Sequence, residues 1–183
     1  MTVRWFDRFS NKGIDDPGGD NARWFCDLHL RSEVEDSLTR SQPVGDWDPN
    51  TRFTPKVKGP IEDYPWCMRS VPVVSDRLRR LIETHAPNNA QFLPVRILYA
   101  GQPFDAGQPY WVANWLNIAD GRKVQKQVDN SDMGHYFDNL ILFDCADPAV
   151  HIFRWRDNPT VEFMSQDLRQ ILTSAGVTGI QYY

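Results

Sequence analysis

Proline and glycine recur through much of the first 70 residues, which show little sustained periodicity, so long loops should dominate there. The breaks fall at residues 16–20, 42–45, 48–50, 59–60 and 64–65. Between them, Val3 to Phe6 and Arg23 to Leu30 carry the aromatic and apolar residues that predict short edge strands. We therefore expect a loop-rich N-terminal third that drapes over a core supplied by the rest of the chain.

Beyond residue 70 the pattern changes, and two amphipathic helices are predicted. In each, leucine and isoleucine recur at intervals of three and four residues after a serine that can accept a hydrogen bond from an unpaired first-turn N–H. The first helix should run from Ser75 to His85, where Pro87 follows its end. The second should run from Ser165 to Ala175, with Gly176 as its C-terminal stop.

Short apolar runs bounded by turn residues predict the strands. They are Phe92 to Tyr99, Tyr110 to Ala119, Asn139 to Asp144, His151 to Arg156, Val161 to Met164 and Gly179 to Tyr183. Pro94 removes one hydrogen-bond donor from the first run, which favours an edge or a bulge there. We predict an α+β fold, one domain over residues 1–183, in which a mostly antiparallel sheet of about four to six strands packs against the two helices.

The predicted core takes the apolar positions of these elements. It consists of Leu78, Leu81, Ile82, Leu93, Val95, Ile97, Leu116, Ile118, Leu140, Leu142, Ile152, Phe153, Leu168, Ile171 and Leu172.

The composition is globular and gives no electrostatic footprint for a polyanion. Apolar residues make up 41% of the 183 residues and charged residues 24%, and a chain of this length buries about 70% of its unfolded surface. Twenty basic against 24 acidic side chains give a net charge of -4. This balance disfavours a nucleic-acid partner.

Targeting signals and cysteine usage suit the cytoplasm. Arg4, Asp7 and Arg8 stand where a secretion signal would carry its apolar run, and no stretch approaches the roughly 18 apolar residues of a membrane helix. The cysteines at 26, 67 and 145 are odd in number and contain no Cys-x-x-Cys pair, which is typical of reduced thiols. We expect a cytoplasmic protein with no disulfide and no membrane partner.

The sequence contains no familiar catalytic, nucleotide-binding or metal-binding motif. Asp27 and His29 share one side of a possible strand, but a metal site normally needs three or four ligands, so we interpret His29 as a partly buried histidine with one hydrogen-bond partner. Cys26 and His29 are three residues apart, which places them on opposite faces of a strand. We predict no catalytic residue, no cofactor and no metal, and therefore no enzyme.

Two segments combine acidic and aromatic residues inside the loop-rich part, and Trp and Tyr are favoured as interface anchors. The predicted partner-binding residues are Asp46, Trp47, Asp48, Asp63, Tyr64 and Trp66. The alternative is that Trp47 and Trp66 pack back onto the core and hold the long loops in place.

Several short pieces occur in a fixed order between Val71 and Tyr183. They are Val73 to Leu78, Phe92 to Val95, Tyr110 to Asp120, Phe137 to Leu142, Ile152 to Arg154 and Ser165 to Leu168 leading into Ala175 to Gly179. By order and spacing they resemble a family of bacterial immunity proteins of polymorphic-toxin and secretion systems. Residues 1–70 match no part of that pattern, which fits either a variable toxin-reading surface or an unrelated insertion.

The resemblance implies a protein that binds a cognate toxin or effector, encoded by an adjacent gene, and neutralises it by stoichiometric occlusion without turnover. It carries over no catalytic residue. Two other functions stay open. One is an enzyme that reverses a toxin's modification, with Asp27, His29, His135 and Asp138 converging in space, and the other is a structural or adaptor protein of a secretion system.

Overall fold

A computed structural model describes residues 6–11, 26–55, 60–65, 67, 71–126, 138–143 and 147–182 of the chain. Within these ranges the helices are α1 (Ser32–Thr39), α2 (Asp76–His85) and α3 (Gln166–Ser174). The strands are β1 (Phe6–Asn11), β2 (Cys26–His29), β3 (Arg52–Pro55), β4 (Val73–Ser75), β5 (Ala90–Tyr99), β6 (Gln102–Pro103), β7 (Tyr110–Trp115), β8 (Ile118–Ala119), β9 (Gly121–Lys126), β10 (Asp138–Phe143), β11 (Ile152–Trp155), β12 (Asn158–Ser165) and β13 (Ile180–Tyr182).

The strands build two large sheets and one small one. The first sheet has the order β13-β1-β12-β11-β8, and the second has the order β2-β3-β5-β7-β4, with β6 added to β5. Strands β9 and β10 pair with each other in a two-stranded sheet. The pairs β3–β5 and β8–β11 are parallel and the other described pairs are antiparallel. The predicted α+β class with mostly antiparallel pairing is confirmed.

Both predicted helices are present, each one residue inside its predicted start because the serine is the cap. The Ser75 hydroxyl accepts a hydrogen bond from the Leu78 N–H at 3.1 Å, and the Ser165 hydroxyl accepts one from the Leu168 N–H at 3.3 Å. Gly176 follows α3 with a φ of +66°, a left-handed conformation that glycine adopts without steric cost.

A cluster that we call the central core lies between α2, α3 and the inner faces of both large sheets. Its buried members are Tyr64, Val74, Leu78, Ile82, Ala86, Ala113, Trp115, Ile152, Met164, Leu168 and Leu172. A second cluster, the α1 core, lies on the other face of the second sheet beneath α1. Its buried members are Leu28, Val34, Leu38, Val44, Phe53, Cys67, Val71, Val73, Leu93, Tyr110 and Val112.

The predicted core residues divide into three groups. Those that are buried are Leu78, Ile82, Leu93, Ile152, Phe153, Leu168 and Leu172. Those that are half-buried are Leu81, Val95, Ile97, Leu116, Ile118 and Ile171. The side chains of Leu140 and Leu142 lie outside the described part of the chain.

The N-terminal third contains more regular structure than the sequence predicts. Helix α1 was not predicted. Of the edge strand expected from Val3 to Phe6, only Phe6 lies within the described residues, where it begins β1, a strand that lies between β12 and β13. Strand β2, within the predicted run from Arg23 to Leu30, does form the edge of the second sheet.

The run from Tyr110 to Ala119 is not one strand, which corrects the prediction. The chain leaves the second sheet after Trp115 and joins the first at Ile118, where β8 pairs with β11. Residues 116–117 therefore carry the crossover from one sheet to the other.

No described helix is long and apolar enough to cross a membrane.

Candidate partner-binding site

Two of the predicted contact residues, Asp63 and Tyr64, lie inside the protein. Asp63 is 4% exposed, and its carboxylate accepts hydrogen bonds from the Ser75 hydroxyl at 2.6 Å, Arg77 Nη1 at 2.9 Å and the Thr178 N–H at 3.1 Å. It thereby joins the loop at residues 60–65 to the start of α2 and to the turn after α3. A buried carboxylate with these partners has no surface to offer a toxin, and its position indicates a structural role.

Tyr64 is 2% exposed and belongs to a buried network of hydrogen-bonded side chains that crosses the central core. Its hydroxyl donates to Glu162 Oε2 at 2.8 Å, and Glu162 Oε1 lies 3.4 Å from Arg154 Nη2. Arg154 is fully buried and donates through Nη1 to the Leu38 carbonyl oxygen, in the last turn of α1, at 2.8 Å. This network connects α1, the 60–65 loop and the first sheet.

The low-polarity surroundings of this network change the pKa values of Glu162 and Tyr64. Burial raises the pKa of the Glu162 carboxyl, and the Arg154 charge and the Tyr64 hydroxyl oppose that rise. Burial, reinforced by the Glu162 charge, raises the pKa of Tyr64 well above its usual value. Each polar group of the network therefore depends on its neighbours for the hydrogen bonds that water would otherwise supply.

His151 and Ser165 form a hydroxyl–imidazole pair that no motif in the sequence predicts. His151 Nδ1 lies 2.8 Å from the Ser165 hydroxyl, a distance typical of a nucleophile and its base. The hydroxyl is also the cap of α3, and Ser165 is 1% exposed. A substrate has no access to an oxygen in that position, so the pair anchors the start of α3 to the chain segment before β11.

The Asp46–Asp48 segment lies at the surface, held from below by its tryptophan. The Trp47 indole N–H donates to the Pro94 carbonyl oxygen at 2.8 Å, and the half-buried ring packs against the α1 core. The Asp46 side chain is 91% exposed and accepts from Arg31 Nη2 at 3.3 Å. The alternative interpretation of Trp47, as a residue that holds its loop on the core, fits this geometry, and the two carboxylates face solvent.

Asp48 shapes the turn that ends the segment and borders a cleft. Its Oδ1 accepts from the Asn50 N–H at 2.8 Å, an arrangement typical of an Asx turn. The cleft has a volume of about 460 Å³ and is lined by His29, Asp48, Asn50, Thr51, Arg52, Thr54, Leu98 and Gly101. Asp48 and His29 thus line the same cleft, and His29 is exposed, which corrects the prediction that it is partly buried.

Several sequence candidates fall beyond the described part of the chain. Trp66 and His135 are outside it, as are the side chains of Asp27 and Asp138. The convergence of these residues with His29 into one polar site stays a prediction. Among the residues that are described, no group of three or more His, Cys, Asp or Glu side chains is placed to hold a metal ion, and Cys67 is a buried free thiol.

Comparison with known proteins identifies a family that matches most of the sequence. No curated protein matches the chain. The sequence profile described as Immunity protein family (Imm11) matches residues 30–183. The match begins well before residue 71 and takes in α1, the Asp46–Asp48 segment and β3, so residues 30–70 are part of the family region and not an unrelated insertion. The chain belongs to the immunity protein family Imm11.

Proposed function

We propose that the chain is an immunity protein that binds a cognate bacterial toxin or effector and neutralises it by stoichiometric occlusion. The observation that carries this proposal is the family match over residues 30–183. The partner is a toxin encoded by an adjacent gene, and the two proteins meet in the cytoplasm of the cell that makes the immunity protein.

The Asp46–Asp48 segment is the part of the predicted contact set that the exposed geometry favours. Trp47 fixes its backbone through the bond to Pro94, and Arg31 holds Asp46 through its carbonyl and its carboxylate. A loop that is already ordered loses little conformational entropy when it binds. Asp46 and Asp48 then offer carboxylates to basic groups of the toxin, while Asp63 and Tyr64 support the fold from within.

Co-expression and calorimetry test the proposal. The adjacent toxin gene is expressed in a sensitive host with and without this chain, and a catalytically inactive form of the toxin is titrated with the purified chain. We expect growth rescue together with a tight complex at a simple molar ratio. Failure to bind would reject occlusion, and rescue without a lasting complex would favour the enzyme that reverses a modification.

The contact segment has its own test. Reversing the charge of both carboxylates, Asp46→Lys with Asp48→Lys, is compared with Asp157→Lys, which changes an exposed aspartate in the turn between β11 and β12. We expect the first pair of changes to slow toxin association about tenfold or more and the control to leave it unchanged. Equal rates for the two variants would remove Asp46 and Asp48 from the interface.

A further inference from the structure

Two arginines and a histidine form one row across three strands of the second sheet. His29 on β2 is paired in register with Arg52 on β3, and Arg52 is paired with Arg96 on β5. Register partners share a face, and neighbouring strands lie about 4.8 Å apart, so the row extends about 10 Å across the sheet. All three residues are exposed. We call the three residues the cationic row, after the charges of Arg52 and Arg96.

The row lies on an open part of the sheet. The residues next to it along the strands, Leu28 and Phe53, point to the other face and are buried in the α1 core. The face that carries the row is covered further along by α2, where the Arg79 guanidinium stacks 4.8 Å from the Trp111 ring of β7. Helix α2 does not extend over β3 and β2, which leaves the row exposed to solvent.

This arrangement is unfavourable for folding. Like charges directly opposite each other on neighbouring strands destabilise a sheet. Among the side chains that the structure describes, no carboxylate forms an ion pair with Arg52 or Arg96. Several other arginines of the fold are paired with acids. Examples are the pairs Arg77–Asp63, Arg80–Asp76, Arg154–Glu162 and Arg156–Asp120. A local rule broken at one exposed place is a sign of a functional surface.

We propose that the cationic row docks an acidic segment of the toxin, an inference that rests on the proposed function. The guanidinium groups bind carboxylates through two parallel hydrogen bonds, which fixes orientation as well as charge. Half-buried Leu98 and Thr54 continue the same face beside the row and line the adjoining cleft. They give an acidic segment an apolar floor for the stems of its side chains.

The surrounding charges select a protein over a nucleic acid. Asp48 lines the cleft beside the row, and the chain as a whole carries a net charge of -4. A continuous phosphate backbone would be repelled by both, whereas a protein segment can set carboxylates against the row and a basic residue against Asp48. The toxin therefore meets a surface of mixed charge, in which the cationic row supplies the positive charge and Asp48 the negative charge beside it.

The test measures association of the purified chain with the inactive toxin from the adjacent gene. Arg52→Glu with Arg96→Glu is compared with Arg40→Glu, an exposed arginine at the end of α1 on the opposite side of the sheet. We expect the double variant to lose about tenfold or more in association rate and to lose most of its dependence on salt, and the control to behave as wild type. A duplex DNA oligonucleotide is titrated in parallel, with no binding expected at physiological salt.

Each outcome has a distinct meaning. If the wild-type chain binds the toxin and the double variant binds equally well, the docking surface is wrong and the proposed function stands. If the wild type does not bind the toxin, both fail. DNA binding that the double variant loses would replace the acidic protein segment with a nucleic acid. The single change Arg52→Glu separates binding from folding, since it sets a carboxylate opposite Arg96 and should leave the thermal unfolding midpoint at or above that of wild type.

Discussion

At the scale of single residues, the buried pair Arg154–Glu162 is the polar contact on which the fold depends most. Replacing Glu162 with Gln preserves its shape but leaves the Arg154 charge unpaired in the interior, which should cost about 3–5 kcal/mol of unfolding free energy. The matched control is Asp120→Asn, which breaks the exposed pair with Arg156 and should cost about 0–1 kcal/mol. Urea unfolding of the two variants checks the contrast, and similar losses would contradict it.

Tyr64 gives the protein a specific sensitivity to alkali. Its pKa is raised by burial above the usual 10.0, so the folded state keeps the phenolic proton while the unfolded state releases it. Because the unfolded state then binds fewer protons, the unfolding free energy must fall as pH rises above 10.0. Tyr64→Phe should lower stability at neutral pH through the lost bond to Glu162, and should show a shallower decline above about pH 10. Parallel pH profiles for the two proteins, measured by urea unfolding, would refute this assignment.

At the scale of elements, the sequence predicted α2 and α3 because their signals are local. A capping serine, an apolar stripe and a terminal glycine or proline all lie within one helix length. Helix α1 escaped prediction because Arg31 is its N-cap residue and makes no side-chain cap, and two of its eight residues, Val34 and Leu38, are buried. Its stability comes from packing on the second sheet, which a short window of sequence does not reveal.

The candidate site, like the helices, was predictable only where its signal is local in the sequence. The Asp46–Asp48 segment was identified because its acidic and aromatic residues are adjacent in the chain. Asp63 and Tyr64 carry the same local signal but are drawn inside by partners more than 90 residues away in the sequence, Thr178 and Glu162. The cationic row combines residues 29, 52 and 96, and only strand register brings them together.

The two helix caps should differ in what they contribute. Ser165→Ala removes a cap and the contact with His151, whereas Ser75→Ala removes a cap and a hydrogen bond to the buried Asp63 carboxylate. A cap contributes about 0.5–2 kcal/mol, and a hydrogen bond to a charged group contributes more than one to a neutral group, so Ser75→Ala should cost about 1 kcal/mol more than Ser165→Ala. Ser32→Ala, at the exposed start of α1, is the control and should change stability by less than about 0.5 kcal/mol. Chemical unfolding of the three variants tests the order, and an equal loss at Ser75 and Ser32 would show that the cap at α2 is dispensable.

At the scale of the whole molecule, the family region does not contain all of the strands that its sheets use. The match begins at residue 30, yet β1 and β2 precede it. Strand β2 adds an edge to the second sheet, whereas β1 is hydrogen-bonded to β12 on one side and to β13 on the other. The C-terminal strand β13 therefore joins the first sheet through a segment from the opposite end of the chain.

This topology predicts that residues 30–183 do not form the native structure by themselves. Without β1, the facing edges of β12 and β13 lose their hydrogen-bond partners, and an unpaired edge inside a sheet invites non-native pairing between chains. We expect the 30–183 fragment to lose cooperative thermal unfolding and to aggregate, while the same fragment preceded by residues 1–29 unfolds in one transition. An unrelated Gly/Ser segment of equal length in place of residues 1–29 controls for chain length and should not restore folding. If the fragment alone unfolds cooperatively within a few degrees of the full chain, β1 is an accessory strand and the family boundary is also the folding boundary.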